Sequence, residues 1–267
     1  MDKPRGDDTW DSGDLYEPFM GRWSRPIARE FLKWLAAPEK KDWLEIGCGT
    51  GALTQTIIEG ANPRSVLGID PSPGYLNFAR TRTKSPRLSF QIGDALSLDM
   101  ANDSQDLAVS GLVFNFLPQP KRALDEMQRV LRPGGLAAGY VWDYAGKMEF
   151  LRYFWDAAMT LDPAAKELDE GRRFPLCQPE PLEKLFRHSG LDNVELSPID
   201  VQTKFRDFED YWTPFLGGQG PAPGYAMRLS EADRAALRER IRSDLPVSED
   251  GSIQLIARAW AVRGRKA

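Results

Sequence analysis

WLEIGCGTGALT, residues 43–54, sets an apolar run directly against three glycines at alternate positions, Gly47, Gly49 and Gly51. The apolar residues read as a buried strand, and GALTQTIIEG (51–60) reads as a helix closing at Gly60. A bare backbone at a strand-to-helix turn lets a ligand come close to the main chain.

The same alternation continues outward. SVLGID (65–70) is a second strand ending in Asp70, followed by the helix SPGYLNFARTR (72–82). LSFQIGDA (88–95) is a third strand, with Asp94 just past its end. QDLAVSGLVFNFL (105–117) is a fourth, followed by the helix QPKRALDEMQRVLRPGG with Gly134 and Gly135 as terminators. LAAGYVWDY (136–144) is a fifth. Strands alternating with helices predict an α/β fold, a parallel sheet wrapped by helices on both faces.

Residues 1–37 read as a polar tail and a lead-in helix, and residues 38–267 as the main domain. Beyond Tyr144 the rhythm changes. MEFLRYFWDAAMTLD and PEPLEKLFRHSGL read as helices and NVELSPIDVQTKF as a strand. EADRAALRERIRSDL reads as a helix, and GSIQLIARAWAVRG as a closing strand. Segments near 144–182 and 205–228 look like cap insertions. The second holds the Gly/Pro-rich run FEDYWTPFLGGQGPAPGYAMRLS, which reads as a functional loop.

Composition narrows the function classes. The 267 residues carry a formal net charge of −4, which gives no global attraction to nucleic acid or anionic lipid. Cys48 and Cys177 are too far apart for a disulfide framework or zinc cluster. One histidine, His188, cannot make a His-rich metal site, and no metal is expected. The charged start MDKPRGDDTW is unlike a signal peptide, and no apolar run reaches membrane-spanning length. The expectation is a cytoplasmic protein with neither nucleic-acid nor membrane partners.

Gly47-Cys48-Gly49-Thr50-Gly51 brings its third glycine one residue earlier than the dinucleotide pattern G-x-G-x-x-G. Asp70, 70 − 51 = 19 residues beyond the loop, can accept two ribose hydroxyls, in NAD or any adenosine compound. Asp94 can accept from an adenine amino group beside the N–H of Ala95. LEIGCGTG, GIDPS, IGDA and DLAVSGLVFNFLPQPKRALDEMQRVLRPGG, in that order, resemble a class I S-adenosylmethionine-dependent methyltransferase. The resemblance covers residues 40–142 and lies nearest the small-molecule, ubiquinone/menaquinone-biosynthesis-like group, whose lead-in helix YEPFMGRWSRPIA resembles. It implies a Rossmann-like, seven-stranded, mostly parallel sheet with the last strand antiparallel.

The resemblance also implies a site. Glu45, Gly47, Cys48, Gly49 and Gly51 would hold the methionine tail of S-adenosylmethionine. Asp70 with Pro71 and Ser72 would hold the ribose, Asp94 and Ala95 the adenine, and Gly111 and Leu112 would line the methionine part. Tyr16 and Arg22 are candidates for the cofactor carboxylate. The charge of Glu45 suits a cationic ammonium and would be poor beside a pyrophosphate. Asp143, just past the fifth strand, is a candidate base or a turn acid. Trp142, Tyr144, Trp155, Tyr211, Trp212 and Phe215 are candidate walls for an apolar acceptor, or else cap core. The run NFLP stands where nucleic-acid amino-methylating enzymes carry Asn-Pro-Pro-aromatic, which argues against base methylation. A protein methyltransferase, a non-catalytic S-adenosylmethionine-binding protein and an NAD-dependent oxidoreductase remain as rivals.

Overall fold

A computed structural model describes residues 17–217 and 220–267. Its sheet has seven strands: β1 Asp42–Ile46, β2 Ser65–Asp70, β3 Leu88–Ile92, β4 Gln105–Gly111, β5 Leu131–Trp142, β6 Asp192–Phe205 and β7 Ile253–Arg265. The order is β3-β2-β1-β4-β5-β7-β6. β1 to β5 pair in parallel, with Ile46 opposite Ile69 and Glu45 opposite Val109, while β7 runs antiparallel to β5. Strand order reverses between β1 and β4, and this switch point lies where the glycines leave β1.

The described residues form two compact units. The sheet unit comprises Ser24–Trp142, Leu176–Ile199 and Ala259–Ala267. Its core is Trp43, Leu44, Ile46, Val66, Ala108 and Val109 from the strands against Ile27, Phe31, Ile57, Leu124 and Met127 from helices. Those helices are α1 Arg22–Leu35, α2 Ala52–Gly60, α3 Pro73–Arg82 and α4 Pro120–Val130. α3 starts as its sequence dictates: the Ser72 hydroxyl accepts from the Tyr75 N–H and Pro73 opens the first turn.

The second unit takes in the described residues up to Trp23, with Asp143–Pro175 and Asp200–Arg258. Its helices are α5 Glu149–Leu161, α6 Glu170–Arg173, α8 Phe208–Trp212, α9 Pro221–Arg228 and α10 Glu231–Asp244; α7, Pro179–His188, belongs to the sheet unit. Aromatic rings make the core of this second unit. Phe150 stacks on Phe205 at 5.5 Å, Phe154 on Phe215 at 4.5 Å, and Phe19 meets Phe150 edge-on at 5.4 Å.

Three local expectations differ from the fold. The helix of residues 120–130 ends at Val130, so Gly134 and Gly135 lie within β5 and do not terminate it. The run read as a Gly/Pro-rich loop forms α8, a 3-10 turn Thr213–Gly217 and α9. Pro221 sits at the helix start where proline is tolerated, and Ala222, Tyr225 and Ala226 are buried. β4 stops at Gly111, short of Leu117, because Leu112 takes a left-handed φ of 64° and the chain turns out of the sheet.

Candidate functional site

The candidate cofactor site lies wholly in the sheet unit, at the carboxyl ends of β1 to β4. Gly47, Gly49 and Gly51 all have positive φ, at 65°, 50° and 84°. Their reasons differ. A Cβ on Gly47 would lie 2.6 Å from Val113, and one on Gly51 would lie 3.2 Å from Ala79. A Cβ on Gly49 would meet nothing within 4 Å, so that glycine faces open space.

Backbone bonds draw the sequence landmarks together. The Cys48 N–H donates to the Ile69 carbonyl (2.9 Å), and the Gly49 N–H donates to the Asp70 carboxylate (2.9 Å). The other Asp70 oxygen accepts from the Ser72 N–H at 2.8 Å, and the Gly93 N–H donates to the Asp70 carbonyl. Val113 supports Gly47. The glycine loop, Asp70, Asp94 and the Gly111–Leu112 tip therefore converge on one edge of the sheet.

Asp70 is buried, and burial pushes its carboxyl up while the Ser72 and Gly49 N–H groups pull it back. Each Asp70 oxygen uses one lone pair on these bonds and keeps one. Asp94 accepts from the Leu96 N–H at 2.8 Å through Oδ1, and Oδ2 has no partner among the described residues. Ala95, next in the chain, is buried. Pro71 is exposed, and Ser72 caps α3. The Leu112 N–H donates to the Tyr140 carbonyl, and the Tyr140 hydroxyl would lie 2.7 Å from any Cβ on Gly111. Glycine at 111 is the residue that leaves room for that phenol.

Glu45 differs from its expected setting. It is 2 % exposed and accepts a hydrogen bond from the Thr54 hydroxyl of α2. Burial pushes its carboxyl up to about 8; the Thr54 bond opposes this and the charge of Asp70 adds to it. It is thus mainly a neutral acid under the loop at pH 7, which removes the argument built on its charge. The Cys48 thiol is buried against Gly68 and is driven upward by burial, Glu45 and Asp70, so Cys48 offers the site only backbone.

All six acceptor candidates are buried side chains. In the aromatic unit Trp155, Tyr211 and Phe215 have no exposed surface and Trp212 has 3 %. The Tyr211 hydroxyl donates to the Phe150 carbonyl, and the Trp155 indole N–H donates to Glu170. These side chains are part of the core of their own unit. Tyr144 is buried against Phe174, and Trp142, in the sheet unit, is buried on β5. Asp143 accepts from the Gly146 and Lys147 N–H groups, both at 3.0 Å, which is the bonding of a turn acid.

Arg22 donates to Asp210 at 3.2 Å and to the Lys204 carbonyl, and stacks over Trp23 and Phe205. It lines a cleft of about 560 Å³ with Arg206, Asp207, Asp210 and Thr213. Its guanidinium is already matched to a carboxylate of its own unit. Tyr16 lies outside the described residues. Sequence reasoning passed over Thr54, Tyr140 and Glu170. Glu170 is a buried carboxyl pushed up to about 7 by burial, against its own backbone N–H and the Trp155 bond. No spacing rule marks these three, because their partners are fixed only in the folded chain.

Residues 44–139 match the family model described as a methyltransferase domain. A malonyl-acyl-carrier-protein O-methyltransferase of Methylococcus capsulatus is 33% identical over 45% of this chain and 44% of its own length. A trans-aconitate 2-methyltransferase of Methylobacterium nodulans is 32% identical over 48% of each chain. The chain thus spans less than half the length of these curated relatives. Among solved structures, a Haemonchus contortus phosphoethanolamine N-methyltransferase bound to S-adenosylhomocysteine has a TM-score of 0.59 at 16% identity, over 95% of this chain and 56% of that one. A 4+2 cyclase has a TM-score of 0.54 at 18% identity, over 91% and 80%. At such identities the likeness is one of fold. The seven-stranded sheet and its antiparallel last strand agree with the sequence reading.

Proposed function

We propose that this chain transfers a methyl group from S-adenosylmethionine to a small-molecule acceptor. The observation that carries the reading is how the loop spends its N–H groups. Cys48, Gly49 and Gly51 N–H donate to Ile69, Asp70 and Cys48 oxygens. A pyrophosphate needs those donors free, and it would also meet the Asp70 carboxylate at the loop. A sulfonium nucleoside needs neither. The open space at Gly49, the spare lone pairs of Asp70 and the unpartnered Oδ2 of Asp94 fit an adenosyl group.

When bound, S-adenosylmethionine supplies an activated methyl group. In this reading Gly47, Gly49 and Gly51 admit its methionine portion, with Gly111 and Leu112 on the far side. Asp70, placed by Ser72 and Gly49, accepts from the ribose. Asp94 accepts from the adenine amino group beside Ala95. The chain's contribution to rate is alignment and exclusion of water, which suits a displacement that needs no obligatory base. Asp143 is therefore given a structural part. Acceptor choice is assigned to the segments near 144–182 and 205–228. The relatives named above act on acyl-carrier-bound malonyl and on trans-aconitate, which makes carboxylates the first acceptors to try. The mild net acidity gives the chain no global attraction to nucleic acid.

The test is incubation with methyl-labelled cofactor against carboxylate, thiol, amine and phenol panels, with the labelled, methylated acceptor as readout. Product with one panel supports transfer. Tight binding with no product on any panel favours the non-catalytic or cyclase-like alternative that the shared fold allows.

A further inference from the structure

β3 is an edge strand, paired to β2 and to no other strand among the described residues. The Gly93 N–H points to β2, donating to the Asp70 carbonyl. Strand alternation then turns the N–H and C=O groups of Phe90 and Ile92 outward. The Phe90 carbonyl accepts from Arg80 on that side, and the Ile92 side chain is 59% exposed.

The chain around this edge is unusual for a protein of net charge −4. Between Asp70 and Asp94 there is no acidic residue, but there are Arg80, Arg82, Lys84 and Arg87. All four are exposed. Arg80 bonds Asn77 and the Phe90 carbonyl, Arg87 bonds Asn62 and the Pro63 carbonyl, and Arg82 stacks over Phe78. None of these partners is a carboxylate. Elsewhere in this unit some arginines are neutralised, Arg129 by Glu126, Arg187 by Glu183 and Arg263 by Glu195. The edge thus presents positive charge with no carboxylate partner among the described residues, beside the outward Phe90 N–H, the outward main-chain groups of Ile92 and an exposed isoleucine side chain.

We infer that the β3 edge docks an acidic protein segment, which adds as a strand along Phe90–Ile92 with its carboxylates on Arg82, Lys84 and Arg87. Strand addition uses main-chain bonds for affinity and alternate side chains for choice. The segment it fits alternates acidic residues with apolar ones that cover Ile92. Nucleic acid would satisfy the charge but not the strand edge. The bland alternative is that these cations only keep edges of like copies apart.

The probe is a fluorescein-labelled peptide of alternating Glu and Val, with a Lys–Val peptide and polyuridylate as controls, followed by anisotropy at low and high salt. The expected result is salt-sensitive binding of the Glu–Val peptide alone, with slowed hydrogen exchange at the Phe90 and Ile92 amides. The double change Arg82→Glu/Lys84→Glu touches no carboxylate partner and should weaken binding about tenfold or more while circular dichroism stays unchanged. Arg240→Glu/Arg234→Glu on α10 should leave binding as it was. The single change Lys84→Glu, with a smaller loss, serves if the double variant fails to fold. Absent binding, binding indifferent to the charge change, unprotected Phe90 and Ile92 amides, or tighter binding of polyuridylate would each overturn the inference.

Discussion

Replacing Glu45 by Gln tests the electrostatics beneath the glycine loop. The Glu45 carboxyl is fully buried, and its value rises from 4.5 to about 8. Raised folded values have a definite sign. The proton stays on in the fold and is lost in the unfolded chain, so stability is fully present below pH 4.5 and falls as pH rises toward 8. The whole gap corresponds to about 5 kcal/mol, of which roughly 3–4 kcal/mol falls between about pH 5 and 8. Glutamine keeps the shape and a carbonyl oxygen for the Thr54 hydroxyl but cannot ionise. The variant should therefore match the parent near pH 5 and exceed it by roughly 3 kcal/mol near pH 8. Guanidinium unfolding followed by tryptophan fluorescence at several pH values gives both curves. Their difference isolates Glu45 from Glu170, whose raised value tilts both curves in the same direction. Parallel curves, or a variant equally destabilised at every pH, would refute the neutral buried carboxyl.

Other expectations concern the site. Gly47→Ala should lower stability by about 2–3 kcal/mol, because the new methyl strikes Val113 in a left-handed backbone; thermal melting reads this. Gly49→Ala meets no neighbour and should cost about 1 kcal/mol of stability while weakening cofactor binding more strongly, as calorimetry would show. Asp70→Asn should weaken adenosyl-ligand binding by about 1.5–3 kcal/mol, and unchanged affinity in a folded variant would end the ribose assignment. Asp143→Ala should lower melting temperature through the lost 143–147 turn bonds, with labelled-methyl turnover per folded molecule unchanged; a selective loss of turnover would restore it as a base.

The placement of Gly47, Asp70 and Asp94 was legible because strands fix it. Once Gly47, Asp70 and Asp94 stand at the ends of parallel neighbours β1, β2 and β3, the register brings them to one edge whatever the helices do. Side-chain roles were less legible. A tryptophan or tyrosine in a cap has the same sequence signature as one in a pocket, and Trp155 and Tyr211 proved to be core. Glu45 was read as a charge because its strand position was visible, but its Thr54 partner, nine residues on, was not. Composition also misread 208–230, where glycine and proline mark helix starts as well as loops.

The most direct measurement is calorimetric titration of the purified protein with S-adenosylmethionine and S-adenosylhomocysteine, with NAD as the control. The account predicts binding of both adenosyl compounds, none of NAD, and roughly 10- to 100-fold weaker binding of both in Asp70→Asn. NAD binding in their place, or no adenosyl binding at all, would contradict it.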